Sequence, residues 1–146
     1  MKYMLDPNIC IFIIKHKPQT VIDKFLKLKS NDICISSITF AELSYGVEKS
    51  QAKIKNRIAL TLFLSNIEIK PFDSQAAEEY GVVRSELERA GLPIGSLDTQ
   101  IAAHARSLGL TLVTNNTREF KRVSKLSVED WTTSSTTTSN TAWEMN

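Results

Sequence analysis

The sequence predicts an α/β protein in which a short parallel β-sheet is covered by helices on both faces. Short apolar runs alternate along the chain with longer segments whose apolar residues recur at helical spacing. This alternation is typical of parallel sheets, because each crossover between parallel strands needs a long connection that is usually a helix. The 146 residues are enough for one domain with a full hydrophobic core.

The first predicted strand is the apolar run Tyr3–Leu5, which stops at Asp6. The residue before a proline favours extended backbone, and proline suits the first turn of a helix. Pro7 therefore indicates that a helix over Asn8–Lys15 follows the strand directly. A second helix begins at Pro18, with apolar residues at helical spacing: Val21, Phe25 and Leu28.

The middle of the chain continues the alternation. Its predicted elements are, in order, the strand Ile33–Ile35, a helix capped by Ser36 or Ser37 that runs through Glu48, an amphipathic helix over Lys53–Leu64, the strand Ile67–Ile69 and a helix over Ser74–Ala90. Asp73 has the side chain of a helix N-cap, and Gly91 is a common residue just past a helix C-terminus.

The last third of the chain completes the sheet. Its predicted elements are a helix from Ser96 to Leu108, the strand Leu110–Val113, a turn around Thr117–Phe120 and a strand near Leu126–Val128. The helix is ended by Gly109, and its apolar face is expected to comprise Leu97, Ile101, Ala105 and Leu108. After Trp131 the sequence becomes TTSSTTTSNTAWEMN. We therefore expect a functional domain over residues 1–131 and a flexible Ser/Thr-rich tail over residues 132–146.

Bulk composition excludes several classes of protein. Hydrophobic content of 42% and charged content of 23% are typical of soluble globular domains, and a net charge of +2 does not by itself indicate a polyanionic partner. Cys10 and Cys34 lie in apolar runs and are expected to be buried thiols rather than a disulfide. No apolar run approaches the roughly 20 residues of a membrane span, so we expect a cytoplasmic protein without membrane contact.

Four acidic residues stand out by position. Asp6 follows the first strand, Glu42 lies inside a helix, Asp98 is in the first turn of a helix, and Glu119 follows the strand Leu110–Val113. The carboxyl ends of parallel strands lie at one edge of the sheet, where such proteins bind their ligands. Asp6 and Glu119 are therefore expected to meet there, together with helix starts such as that of Asp98.

Converging carboxylates predict a metal site. They repel one another unless a divalent cation neutralises them, and oxygen ligands without cysteine or a well-placed histidine select Mg²⁺ or Mn²⁺. Such a site, with positions open to water and phosphate, suits phosphodiester hydrolysis. Each acid alone also has a simpler explanation. Asp6 is a good N-cap, Asp98 complements a helix dipole, and Glu42 and Glu119 can be ordinary surface residues.

Five segments resemble those of the PIN-domain toxins of VapBC toxin–antitoxin modules, in similar order and spacing over Met1–Trp131: MLDPN, SSITFAELSYG, IGSLDTQIAAHA, LVTNNTREF and VEDW. The resemblance implies a PIN-like three-layer α/β/α sandwich and a Mg²⁺- or Mn²⁺-dependent endoribonuclease acting on structured RNA, notably tRNA. It also implies a VapB-type antitoxin that blocks the site and carries the contact with operator DNA. A homodimer is favoured, with the helix Lys53–Leu64 as a candidate contact.

The resemblance also suggests roles for individual residues. Matched by position, the acidic site comprises Asp6, Glu42, Asp98 and Glu119. The expected metal ligands are Asp6, Asp98 and Glu119, with Thr114 and Asn116 orienting ligands or water. Basic residues expected to hold the RNA backbone are Lys15, Lys17, Arg106, Arg118, Lys121 and Arg122.

Pro7 is a departure, because the family usually has threonine or serine after this aspartate. The change removes a possible hydroxyl hydrogen bond to a carboxylate but no metal ligand. Two alternatives therefore remain open. One is a catalytically weak PIN domain that acts as an RNA- or antitoxin-binding scaffold. The other is a phosphoacceptor module with Mg²⁺ at the strand ends, which needs a lysine after a late strand, and neither Lys121 nor Lys125 clearly ends one.

Overall fold

The structure is a computed structural model that describes residues 1–133. The predicted tail over residues 132–146 lies outside the described residues except for Thr132 and Thr133. Trp131, near the end of the described residues, is 1% exposed. It packs edge-on against the Tyr3 ring, with the ring centroids 5.5 Å apart.

Five short strands form one parallel sheet in the order β3–β2–β1–β4–β5. The strands are β1 Tyr3–Leu5, β2 Ile33–Ser36, β3 Glu68–Lys70, β4 Thr111–Val113 and β5 Val128–Glu129. The central strand is β1, in which Met4 is paired with Cys34 on one side and Leu112 on the other. The predicted parallel sheet is confirmed.

The helices connect and cover these strands. They are α1 Pro7–Ile14, α2 Gln19–Leu26, α3 Ser37–Lys49, α4 Lys53–Leu64, α5 Ser74–Arg89, α6 Ser96–Leu108 and α7 Thr117–Phe120. Asp73 and Ser36 are N-caps, as expected, because their side chains accept the amides of Ala76 and Ile38. The Thr117–Phe120 segment, predicted as a turn, is a short helix. The third strand begins one residue later than predicted, because Ile67 belongs to the turn after α4 and donates to Leu64.

Two hydrophobic cores lie on opposite faces of the sheet. Neighbouring residues of β1 divide between them, with Leu5 in the core under α1 and α4 and Met4 in the core under α5 and α6. This division follows from the pleat, which turns successive side chains to opposite faces. Helices thus cover both faces, which confirms the predicted three-layer arrangement. Cys10 and Cys34 are buried and free, one in each core.

The apolar face predicted for α6 is wrong at both ends. Leu97 and Leu108 are 41% and 38% exposed, whereas the five consecutive residues Ile101–Ala105 are buried. The buried arc is wide because α6 packs on α5 and on the sheet at the same time. No helix within residues 1–133 is long and apolar enough to cross a membrane.

Candidate active site

Asp6 stands where the central strand ends and α1 begins. Its side chain is 4% exposed, and its Oδ1 accepts the backbone N–H of Ile9 at 2.9 Å, which makes it the N-cap of α1. Its Oδ2 accepts the hydroxyl of Thr114, which directly follows the neighbouring strand β4. The carboxyl ends of β1 and β4 therefore meet through this carboxylate, as the parallel topology requires.

Three of the predicted carboxylates influence one another electrostatically. The pKa of Asp6 is raised to about 7, mainly by burial and also by the charge of Asp98, and the hydrogen bonds from Thr114 and Ile9 oppose this shift. Burial also raises the pKa of Asp98, and the charge of Glu119 adds to that shift. Asp98 thus interacts electrostatically with both Asp6 and Glu119. We call these three residues the acidic edge.

Glu119 is held by a neighbouring amide. It lies in the four-residue helix α7, partly buried, and its Oε2 accepts the side-chain N–H of Asn116 at 3.1 Å. The backbone N–H of Asn116 in turn donates to the Thr114 hydroxyl oxygen at 2.9 Å. Thr114 and Asn116 therefore form a chain of hydrogen bonds from Asp6 to Glu119, and their role in orienting ligands stays a prediction.

Glu42 stands apart from the acidic edge in its contacts. It is partly exposed on α3, and within residues 1–133 no hydrogen bond or ion pair joins it to the other three acids. One turn earlier on the same helix, the Thr39 hydroxyl is buried and has no partner among the described residues. The structure therefore brings three of the four predicted acids together and leaves the fourth on an adjoining helix.

One polar pair at this edge was missed from the sequence. The side chain of Asn8, in the first turn of α1, donates to Oδ1 of Asn115 at 3.2 Å, and Asn115 is only 8% exposed. The pair ties the start of α1 to the segment after β4, next to Asp6. The signal was present, since both asparagines lie within three residues of a predicted strand end, where side chains of neighbouring parallel strands meet.

The donor set suits a hard divalent cation. It consists of carboxylates whose charges raise the pKa of a neighbour, and Mg²⁺ or Mn²⁺ prefers such oxygen ligands. As the side chains stand, however, no group of three acidic, histidine or cysteine residues in the described part of the chain is arranged to hold an ion. One oxygen of Glu119 and both of Asp6 accept protein hydrogen bonds. Chelation here would therefore require side-chain rearrangement.

The predicted RNA-binding residues divide into two groups. Arg106 is wrong for this role, because its side chain is 9% exposed and pairs with Glu79 at 2.9 Å and Glu86 at 3.3 Å. It joins α6 to α5 and is not available to a polyanion. Arg122 also has a protein partner, the carbonyl of Pro93. The side chains of Lys15, Arg118 and Lys121 are exposed, and Lys17 is partly exposed.

A groove lies away from the acidic edge. It has a volume of about 510 Å³ and is lined mainly by apolar residues of α1, α2 and α4, among them Ile13, Phe25, Leu26, Leu62 and Phe63. We call it the apolar groove. None of the three residues of the acidic edge lines this cavity.

Comparison with known proteins identifies the class. The family model of the PIN domain matches residues 3–126. The chain therefore belongs to the PIN-domain family. It is 51% identical over 131 residues to the tRNA(fMet)-specific endonuclease VapC of Shigella flexneri, an alignment that covers 90% of this chain and 98% of that protein. It is also 48% identical to Ribonuclease VapC2 of Rickettsia felis, over 90% of this chain and 98% of that protein. Within the PIN-domain family, the chain thus belongs with the VapC ribonucleases.

Solved structures agree with this assignment. The crystal structure of DNA-bound VapBC from Salmonella typhimurium matches with a TM-score of 0.85 and 48% identity, covering 90% of this chain and 98% of that chain. VapBC2 from Rickettsia felis, bound to a DNA fragment from its promoter, matches with a TM-score of 0.83 and 46% identity, covering 90% and 99%. The predictions of a PIN-like fold and of a VapC-type endoribonuclease are confirmed. The phosphoacceptor alternative finds no support, since Lys121 follows α7 and Lys125 lies in a turn.

Proposed function

We propose that this chain is the toxin of a type II toxin–antitoxin module and cleaves initiator tRNA in a Mg²⁺- or Mn²⁺-dependent reaction at the acidic edge. The observation that carries the proposal is the electrostatic coupling of Asp6, Asp98 and Glu119 where β1 and β4 end. PIN-domain ribonucleases generally depend on divalent metal ions. The choice of RNA follows the relatives, which are named tRNA(fMet)-specific endonucleases at 51% and 48% identity.

The residues have distinct proposed roles. Asp6, Asp98 and Glu119 are the residues that would hold the ion, and Asp6, whose pKa is near 7 in the free protein, would do so in its ionised form. When bound, the cation neutralises charge on the phosphate and acidifies the attacking water. Thr114 and Asn116 orient two of the carboxylates, and Glu42 completes the acidic cluster from α3. By analogy with the family, water attacks the phosphorus and the bond from phosphorus to the 3′ oxygen breaks, so the products carry 5′-phosphate and 3′-hydroxyl ends.

The proposed partners follow the family. The two structural relatives are VapBC complexes with DNA, so we infer that a VapB-type antitoxin blocks this chain and that operator DNA is contacted only through the complex. We further propose that the toxin acts in the cytoplasm, where its RNA is found, and that it forms a homodimer.

Cleavage of initiator tRNA tests the proposal directly. The purified chain should cut initiator tRNA in Mg²⁺ or Mn²⁺, cut elongator tRNA(Met) far more slowly, and stop in EDTA. Asp98→Asn should lower the rate at least a hundredfold, because it removes a charge that the bound cation needs, while leaving the melting temperature at or above that of the wild type. Asp23→Asn, an equivalent change at an exposed position of α2, is the matched control and should cleave normally.

Three results would contradict these assignments. Cleavage that survives chelation would overturn the metal dependence, and a normal rate for Asp98→Asn would overturn the site. Tight binding of tRNA without cleavage in either metal would favour the alternative of a scaffold that binds RNA or antitoxin.

A further inference from the structure

His104 is a buried polar residue to which the proposed chemistry gives no role. It lies on α6, is 1% exposed, and its Nδ1 is 2.8 Å from the hydroxyl oxygen of Ser36, which is completely buried. The two residues are 68 positions apart in the sequence. The Phe72 ring stands edge-on to the imidazole, with the centroids 5.4 Å apart. A buried pair of this kind needs every polar atom satisfied, so its geometry is tightly specified.

The hydrogen bonds around this pair are consistent with a neutral imidazole. Ser36 is the N-cap of α3 and accepts the amide of Ile38 at 3.1 Å, which leaves its hydroxyl proton free to be donated to Nδ1 of His104. The backbone of Pro71 accepts a hydrogen bond from the ring. Burial lowers the pKa of His104, which also favours the neutral form. His104 thus acts as acceptor on one side and donor on the other.

The pair joins the two helices that carry Glu42 and Asp98. Ser36 ends β2 and caps α3, on which Glu42 follows six residues later. His104 is six residues after Asp98 on α6. Each carboxylate is therefore about 9 Å along its helix from the contact. Because Glu42 makes no direct contact with the acidic edge, its placement depends on how α3 is anchored.

We propose that His104 is a positioning residue, which holds Ser36 at the start of α3 and thereby sets where Glu42 stands relative to Asp98. The inference rests on the proposed function, in which both carboxylates take part in cleavage. His104 does not touch the acidic edge itself. It acts through the N-cap of the neighbouring helix, and a displacement of about 1 Å at such a distance is enough to slow a reaction by up to a hundredfold.

Substitutions of both partners test this role. His104→Leu should lower kcat on initiator tRNA ten- to a hundredfold while KM stays within about threefold, since the exposed RNA-binding surface is unchanged. His104→Gln should retain kcat within about threefold, because an amide can accept from Ser36 and donate to Pro71. Ser36→Ala should match His104→Leu, and the double variant should be no slower than either single variant, because both remove the same contact.

A variant that loses stability without losing the contact between His104 and Ser36 is the control. Leu60→Ala truncates a residue that is 3% exposed on α4, in the opposite core, and should cost about 2–5 kcal/mol of stability without changing kcat below the melting transition. A wild-type kcat for His104→Leu would overturn the proposal. So would equal losses for the leucine and glutamine variants, or a loss in Leu60→Ala as large as in His104→Leu.

Amide hydrogen exchange separates this inference from the proposed function. The Ile38 amide should exchange at least tenfold faster in His104→Leu than in the wild type, whether or not the protein cleaves RNA, because its acceptor Ser36 loses its anchor. If the wild type cleaves no tRNA, the proposed function fails while faster exchange still supports the anchoring of α3. Unchanged exchange at Ile38 would overturn the anchoring itself.

Discussion

The acidic edge and the apolar groove place side chains in opposite kinds of unfavourable environment. At the acidic edge, polar groups are buried, and hydrogen bonds only partly compensate, because the pKa of Asp6 still stands near 7. In the apolar groove, large hydrophobic side chains face solvent. Leu26 is 72% exposed and Leu62 is 67% exposed. Both arrangements cost stability, and each makes physical sense if a second molecule completes it, a cation in one case and a protein in the other.

The groove is bordered by a regular stripe on α4. Ile54, Ile58 and Leu62 recur every four residues and are 80%, 56% and 67% exposed. An exposed stripe of this spacing presents one continuous apolar helix face. The acidic edge has no comparable apolar surface, because it consists of one buried carboxylate, Asp6, and two partly exposed ones, Asp98 and Glu119. We therefore expect that substitutions can alter RNA cleavage and protein binding separately.

Leu62→Asp should have the largest effect of the changes that separate the two regions. It places a charge in the groove, so we expect affinity for a VapB-type antitoxin to fall at least about thirtyfold, on the order of 2 kcal/mol, while tRNA cleavage stays within about twofold. Titration calorimetry and a cleavage assay measure the two effects. Val82→Asp, at a residue 47% exposed on α5, is the control and should leave both unchanged.

Two outcomes would change this interpretation of the groove. Normal antitoxin affinity would show that the antitoxin binds elsewhere. Loss of a dimer, seen by sedimentation, would instead support the homodimer contact that the sequence suggested for Lys53–Leu64.

The fold was largely predictable because its signals are local. Apolar runs, prolines and caps such as Asp73 are read from a few neighbouring residues, and the predicted strand and helix boundaries agree with the structure within two residues. The face of α6 was not predictable in the same way. A helical pattern shows one stripe, whereas the structure packs α6 against two partners and exposes Leu97 and Leu108. Contacts with a second partner are tertiary information that periodicity does not contain.

The sequence predicted which strand ends meet at the candidate site, but not the contacts around its side chains. The predicted topology placed Asp6 and Glu119 at one edge of the sheet, and the structure adds that Asp98 interacts electrostatically with both. The contacts of Arg106 and His104 are made with residues far away in the sequence. Ser124 is 18 residues from Arg106, and Ser36 is 68 residues from His104. The residue types alone could not reveal these contacts. The sequence therefore suggested an RNA contact for an arginine that is committed to ion pairs.

Asp6 should make the stability of the metal-free protein depend on pH. The unfolded carboxyl is ionised above about pH 4, whereas the folded carboxyl, with a pKa of about 7, holds a proton below that value. Folding thus binds a proton, and this contribution to stability is lost as the pH rises through 7. In EDTA, the difference in free energy of unfolding between wild type and Asp6→Asn should fall by about 1.4 kcal/mol between pH 6 and pH 8.

Urea unfolding of both proteins at several pH values measures this difference. Taking the difference cancels the contribution of His104, whose lowered pKa has the opposite sign and acts below about pH 6.5. Added Mg²⁺ should raise the free energy of unfolding of the wild type at pH 8 and leave that of Asp6→Asn unchanged. A pH-independent difference would mean that Asp6 stays ionised, and the acidic edge would then differ less from an ordinary N-cap.

Pro7→Thr should have the smallest effect and tests whether the acidic edge is complete without the family's usual hydroxyl. Pro7 occupies the first position of α1, where its fixed backbone limits the unfolded chain, so threonine should lower the free energy of unfolding by about 0.4–1 kcal/mol. Cleavage should change less than about threefold, because Asp6 already accepts the Thr114 hydroxyl and the Ile9 amide. Thr114→Val provides the contrast and should slow cleavage at least tenfold, since that hydroxyl is the one in contact. A tenfold gain in Pro7→Thr would instead show that proline weakens this site, and the scaffold alternative would regain support.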